Sequence, residues 1–383
     1  MKKALAALGF GTFALGIAEF GMMGILSDVA SGVGVSIVRG GHFITAYSAG
    51  VAVGAPALIF LRRWPLKRLM LLLAALITLG NLLAALSPGY LSLLCSRFIS
   101  GLPHGAFFGA GAIVAERLAP PGQQAKAVAV MVGGMTIANV VGVPLGTFVA
   151  NALSWRFTFG GVALCGLTAL IGIRGWLPYL APLPDTGLKG QFRFLRNPGP
   201  WLIYTGVFFG QGAVYCWLSY VDPAMTLVAG FPLPAMSWIM VVIGLGMVAG
   251  NALAGALADR FKASKVTMWI AVLTMFVMAA VWYFAASKAI SVALAFVAAA
   301  CLFGIGGPLQ YLIVRYAKGG EMLGGAGIQI AFNVSNAVSS AVGGAVIQSG
   351  LGYSAPALAG VPFALIAAIA LCILSAKYTP ANL

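Results

Sequence analysis

Residues 15–26 read LGIAEFGMMGIL, eleven residues suited to lipid around a single carboxylate, Glu19. The apolar run that contains them begins near residue 5 and ends near residue 26. About 20 apolar residues in a helix cover the ~30 Å of a bilayer's hydrocarbon, so residues 5–26 predict one transmembrane helix. The opening MKKALAALGF has the basic-then-apolar order of a secretory leader, but the run passes Glu19 without an A-x-A-like cleavage site. A retained spanning helix is expected instead. Its acid then needs a reason.

The same pattern fills the chain. Of 383 residues, 61% are hydrophobic and 8% charged, with a mean hydropathy of +1.01. Soluble domains carry roughly a quarter charged residues, so lipid is the expected solvent. Further apolar spans fall at 42–61, 68–87, 90–115, 127–150 and 156–177, and then at 199–221, 236–258, 266–286, 290–314, 322–347 and 351–376. Only residues 178–198 form a sizeable polar break. The expected fold is an all-α membrane protein of twelve transmembrane helices in two pseudo-symmetric six-helix bundles. Residues 1–177 make the first bundle, 178–198 a linker and 199–383 the second.

The net charge of +15 raises the question of nucleic acid, and its placement answers against it. Eighteen of the 22 lysines and arginines lie in connections on one side of the predicted spans. Arg39, Arg156 and Lys288 lie on the other side, and Arg97 lies within a span. No basic stripe interleaved with aromatics is present, as a nucleic-acid surface requires. Basic residues concentrate in cytoplasmic loops, so both termini and the linker are expected in the cytoplasm, with the protein in a bacterial inner membrane. The five cysteines (Cys95, Cys165, Cys216, Cys301 and Cys372) sit singly in apolar segments, without disulfide or metal spacing. No metal, cofactor or enzyme signature is expected.

Two internal echoes support the halves. AGVAVGAP (49–56) and LGMVAGNA (245–252) place Gly50/Gly54 and Gly246/Gly250 at an offset of 196 residues. Asn139 and Asn333 differ by 194. Repeats of this kind place a substrate site at the midplane between halves.

An embedded charge costs about 2.5–3.5 kcal/mol on insertion scales and marks a functional site by default. Glu19 is the one acid placed inside a span, and Arg97, in CSRFISGLPHGAFFG (95–109), is the one embedded basic side chain. They are expected partners. A neighbouring positive charge and burial pull a carboxyl's ionisation in opposite senses. Two roles stay open for the pair, proton coupling and a static structural tie between helices. His104, seven residues after Arg97, lies about 10.5 Å further along the same helix; it reads equally as a proton relay or a satisfied core histidine. His42, at the outer mouth of the second span, carries no expected role.

In the fifth span Gly134, Ala138, Gly142 and Gly146 form a ridge of small residues that lets another helix approach closely. Pro144 is expected to kink it. The ridge is either architecture or a seal between the membrane faces. In GALADRFKASK (255–265), Asp259 is placed to cap the following helix or to bind basic side chains across the halves.

These stretches together resemble the major facilitator superfamily, and within it the twelve-spanner drug:proton antiporters, nearest to AraJ-type sugar or drug efflux transporters. The superfamily's loop signature matches Gly255, Leu257, Ala258, Asp259, Arg260, Lys262 and Lys265. Its fourth-span signature matches Arg97, Gly101, His104 and Gly105, and the antiporter signature matches GMTIANVVGVPLGT (134–147) through Gly142, Pro144 and Gly146. The resemblance implies rocker-switch alternating access and export driven by inward proton flow, with proton coupling at Arg97. The first-half loop departs from the pattern, with Arg62 and Arg63 in place of an acid.

Phe13, Tyr47, Phe108, Gln211, Tyr215, Trp217, Gln310, Gln329 and Asn333 are the expected lining of the substrate site. Aromatics with a few amides suit an uncharged amphipathic solute, and no second embedded acid is present for a polycation. Tyr220 and Trp155, near span ends, are expected as interfacial anchors. The partners expected are a small-molecule substrate, protons and the lipid bilayer, with the chain a monomer. Proton-coupled export is the leading reading. Beside it stand a uniporter or importer with a purely structural Glu19–Arg97 pair, and a membrane receptor or scaffold.

Overall fold

The computed structural model describes residues 2–61, 64–121, 123–182, 192–317 and 321–378. Arg62, Arg63 and linker residues 183–191 lie outside the described residues. The described residues form helices and connections, with no strand. The spanning helices are α1 (Lys2–Gly24), α2 (Ile37–Leu61), α3 (Leu66–Ala85), α4 (Tyr90–Gly101 and Pro103–Leu118), α5 (Gln124–Ile137 and Val143–Ala152) and α6 (Trp155–Trp176). After the connection come α7 (Pro198–Leu218), α8 (Met236–Arg260), α9 (Ala263–Tyr283), α10 (Lys288–Tyr316), α11 (Glu321–Val346) and α12 (Ala355–Ile373). Ten of the described helices are long and apolar enough to cross a membrane. α2 and α7, of 25 and 21 residues, complete the twelve.

Local chemistry sets the ends and breaks. Asn197 accepts from the Gly199 N–H at 3.0 Å and caps α7, whose first residue is Pro198, a position where proline loses nothing. Ser154 caps α6 through the Arg156 N–H. Pro103 divides α4. In α5 the break expected at Pro144 appears one turn earlier, as a π-turn over Ala138–Gly142; the proline lacks an N–H, and a wider turn before it relieves its ring. α1 stops at Gly24, and a short helix, Leu26–Gly32, lies beyond it.

The repeated Gly-xxx-Gly pairs do the same work in each half. A Cβ at Gly50 or Gly54 would collide with the backbone of Phe98 or Leu102 in α4. One at Gly246 or Gly250 would collide with Phe296 or Ala300 in α10. α2 thus meets α4 as α8 meets α10, at backbone distance.

Burial divides the interior unevenly. One apolar cluster belongs to the first half (Leu8, Leu15, Met70, Phe107, Met131) and another to the second (Ile203, Ile305, Leu309, Leu371). The third contains both, bringing Met22, Ile25, Phe43 and Val143 together with Trp217, Met236, Met240 and Ile243. It lies on the far face, away from the face that carries the N-terminus. There the halves are also tied by Thr45 to the Ala337 carbonyl at 3.4 Å and by Asn151 to the Leu233 carbonyl at 3.0 Å. Tyr220 and Trp155 are 1% and 4% exposed within this seam. They are packing residues of the closed side, not interfacial anchors. Large apolar side chains such as Leu79, Phe148, Phe157, Trp269 and Phe276 stay exposed around the outside, where lipid covers them.

Candidate functional site

Small residues draw α1 against α5: Gly16 meets Ala138, and Gly134 meets the backbone at Gly9. Glu19 is thereby enclosed, 1% exposed. Neither of its carboxyl oxygens has a hydrogen-bond partner. Nε2 of His104, in the same half, lies 3.7 Å from its Oε2. On the other side of that ring, Nδ1 lies 2.8 Å from the Tyr47 hydroxyl. Tyr47 also points its hydroxyl at the Leu15 carbonyl, 3.4 Å away. When Tyr47 donates to Leu15 it is free to accept from Nδ1–H; when it donates to Nδ1, the ring proton sits on Nε2 and faces Glu19.

Arg97 is completely buried, but the expected ion pair with Glu19 does not form. Its Nη2 donates to the Ala18 carbonyl at 2.8 Å, one residue before the acid. The guanidinium lies over the rings of Tyr47 at 4.3 Å and Phe159 at 5.4 Å. A carbonyl and two π faces hold the planar, weakly hydrated cation, while its Nε and Nη1 are buried without a hydrogen-bond partner. Arg97 acts on Glu19 through space, without contact.

Two groups from the other half also act on Glu19: Asn336 of α11 and Tyr215 of α7. The Tyr215 hydroxyl is buried without a hydrogen-bond partner, and its ring stands 5.4 Å from that of Phe332. Phe20, beside Glu19, meets Phe303 of the second half at 5.8 Å. The carboxyl therefore lies on the seam between the halves.

Above it opens a cavity of about 830 Å³. Its wall runs from Trp64, Leu66, Glu116 and Val314, at the face carrying the N-terminus, down to His104, Asn139, Phe303 and Phe332. His104 forms part of the floor, its ring stacked on Phe108 at 5.2 Å. Phe108, Gln211, Gln310 and Gln329 line the wall as expected positions. Phe13, Tyr47, Tyr215, Trp217 and Asn333 do not. Phe13 packs beneath Gly142 of α5, Tyr47 supports His104, and Trp217 is 2% exposed in the far-face seam. Asn333 is turned back onto the Gln329 carbonyl at 3.0 Å. Helices apolar on every side carry no periodicity that singles out the cavity face. Sequence reasoning also missed Asn251, Met247, Met135, Phe303 and Phe332 on the wall. Asn251, a lone amide beside Gly250 within apolar α8, was the one with a visible signal.

The remaining motif residues fall in two groups. Gly134, Gly142 and Gly146 pack onto α1 and α6 within the first half. α5 also meets the second half at Asn139, whose backbone lies against Gly244 of α8. Gly255 has open space around it, and Asp259 and Arg260 are exposed without a hydrogen bond or ion pair among the described residues. The expected latch is not engaged, on the face where the cavity is open. Among the described residues no group of three or more His, Cys, Asp or Glu is placed to hold a metal ion.

Comparison with known proteins gives the arrangement its context. The chain is 44% identical over 384 residues to the Escherichia coli (strain K12) protein AraJ, covering 99% of this chain and 96% of that one. It is 35% identical to the inner membrane transport protein YdhP of the same strain, covering 98% and 96%. It is 28% identical to a chloramphenicol resistance protein of Streptomyces lividans, covering 97% and 95%. Among solved structures it resembles a bacterial homologue of the human lysosomal transporter Spinster in an inward-facing, unoccupied conformation. The TM-score is 0.77 at 16% identity, over 99% of this chain and 98% of that one. The Major Facilitator Superfamily profile matches residues 8–324. With twelve helices in two bundles around a cavity at their seam, the chain belongs to the Major Facilitator Superfamily and is a membrane transporter, not an enzyme.

Proposed function

We propose that this transporter exports a small neutral or amphipathic solute, a sugar or a drug, across a bacterial inner membrane in exchange for protons. Residues 1–177 and 199–383 rock about the seam as a monomer. The basic connections place both termini in the cytoplasm, so the open cavity is the loading state.

The observation that carries this reading is the position of Glu19 between groups of both halves: His104 at 3.7 Å on one side, Tyr215 and Asn336 on the other. Opening the far face would carry the second half's two groups away. A carboxyl whose surroundings differ between two states binds a proton differently in them, and by linkage its protonation biases the switch. His104 touches both the cavity and the acid, which suits it to pass a proton between them. Arg97 keeps a positive charge beside the acid while bonded to Ala18.

The cavity wall favours an uncharged cargo. Its amides, Asn139, Gln211, Asn251, Gln310 and Gln329, lie among Phe108, Phe303 and Phe332, giving hydrogen bonds and stacking, with the one carboxyl of the wall, Glu116, at the mouth. The name of the Streptomyces relative points to chloramphenicol, an uncharged amphipathic drug, and supports this class.

Proteoliposomes with an imposed pH gradient test the reading, using labelled chloramphenicol, pentoses and nucleosides. Gradient-driven accumulation that Glu19→Gln abolishes, with substrate exchange at zero gradient retained, is the expected result. Wild-type flux indifferent to the gradient overturns it. That result would favour a uniporter or importer, in which the Glu19–Arg97 neighbourhood is purely structural, with Arg97 held by the Ala18 carbonyl and the Tyr47 ring.

A further inference from the structure

The far face holds a pair of carboxyls, and it bridges the halves. Asp222 follows α7 in the second half and is 0% exposed. Its Oδ2 accepts from the backbone N–H of Ser27, in the short helix after α1 of the first half, at 2.7 Å. Its Oδ1 has no partner, and neither has the buried Oδ2 of the adjacent Asp28. Among the described residues no lysine, arginine or histidine pairs with either acid. The elements packed on Val221–Pro223 are α1, the short helix and the turn Ala224–Val228. The short helix presents Asp28, the turn presents only Thr226, which donates to the Asp222 backbone carbonyl at 2.8 Å, and no charged group of α1 acts on Asp222.

Closing the far face therefore sets a buried carboxyl of the second half beside a half-buried carboxyl of the first, with one N–H, that of Ser27, donated to Asp222. A proton on either removes the repulsion and leaves the hydrogen bond from Ser27 intact. We infer that Asp222 and Asp28 form a proton-binding gate on the far face, which takes up a proton as the halves close there. Asp222 is pushed up from 3.8 to about 6, by burial first and with a contribution from Asp28. Burial raises Asp28 as well. Both groups lie beyond the spanning helices. A raised carboxyl stabilises the closed face fully below its ordinary pKa, and that stabilisation is lost as pH rises toward about 6. This site is separate from Glu19 and does not depend on Glu19 carrying protons.

The test is a distance measurement between spin labels on the full chain in nanodiscs, with the five native cysteines replaced and EDTA present. Labels at Ser31→Cys and Leu227→Cys report the far face; labels at Arg68→Cys and Lys265→Cys report the opposite one. The closed-to-open ratio at the far face is expected to fall about tenfold between pH 5 and pH 8. Asp222→Asn keeps an acceptor for Ser27 and should stay closed without a pH response. Asp28→Asn should reduce the response, which keeps the test decisive if the Asp222 variant folds poorly. Glu19→Gln should leave in place the part of the response that the two aspartates carry. No pH response in the wild type, an unchanged response in both aspartate variants, or a response lost in Glu19→Gln alone overturns the gate. Coupling of cavity transport to protons is tested separately, by the flux assay.

Discussion

Arg97 is bonded to the carbonyl of Ala18, not to the neighbouring carboxyl of Glu19. The cation is thus held by the backbone of α1 and by the ring of Tyr47, whatever the protonation of the acid. Removing it deletes a buried charge-assisted hydrogen bond and empties the space over two rings. Arg97→Met should cost about 2–4 kcal/mol, seen as a lower melting temperature and poor yield. Arg97→Lys should recover only part, because an ammonium lacks the planar face that lies on Tyr47.

Glu19→Gln should behave differently. The side chain makes no hydrogen bond to lose, so the melting temperature should stay close to the wild type while proton-coupled flux disappears. Tyr47→Phe removes the hydroxyl 2.8 Å from His104. It should cost about 1 kcal/mol and slow pH-driven flux more than exchange without a gradient. Paired thermal-shift and flux measurements separate the two effects.

Gly54 and Gly250 touch opposing backbone, while Gly160 in α6 faces open space. Gly54→Ala or Gly250→Ala should destabilise by roughly 1–3 kcal/mol through forced separation of helices. Gly160→Ala should be neutral or stabilising by up to about 1 kcal/mol. Thermal denaturation in one detergent ranks all three.

Gln310→Leu and Gln329→Leu keep volume on the cavity wall but remove hydrogen bonds. Each should weaken binding of a neutral polar substrate about tenfold, from about 1.4 kcal/mol per lost bond. Calorimetric titration of a substrate that stabilises the wild type checks it.

The far-face carboxyls also predict a stability trend. Because burial pushes Asp222 up to about 6, the folded protein gains most at acid pH, and its melting temperature should fall between pH 4 and pH 6.5. Asp222→Asn should flatten that slope. A scan in nonionic detergent across this window reads it directly.

Lipid solubility wrote most of the architecture plainly into the chain. Twenty-residue apolar runs and their basic connections gave the spans, and the two Gly-xxx-Gly pairs marked where α2 meets α4 and α8 meets α10. Side-chain direction was another matter. α1 and α7 are apolar almost throughout and α11 carries several amides and serines, so Phe13, Trp217 and Asn333 read as cavity residues although tertiary packing turned them elsewhere. Tyr215 and Asn336 could be tied to Glu19 only once both halves were assembled. Arg97 is the clearest case. Two lone embedded charges suggest a pair, but a backbone carbonyl and an aromatic face, neither visible as a charge, took the arginine instead.

The apolar seam that joins the halves on the far face has a thermal consequence. Reversing the transporter's orientation must wet Met22, Phe43, Met240 and Ile243, and wetting such surface raises heat capacity and becomes easier in the cold. Chilling should therefore shift resting molecules toward the orientation opposite to the one described. The transporter's preference for one side is a property of temperature as well as of cargo.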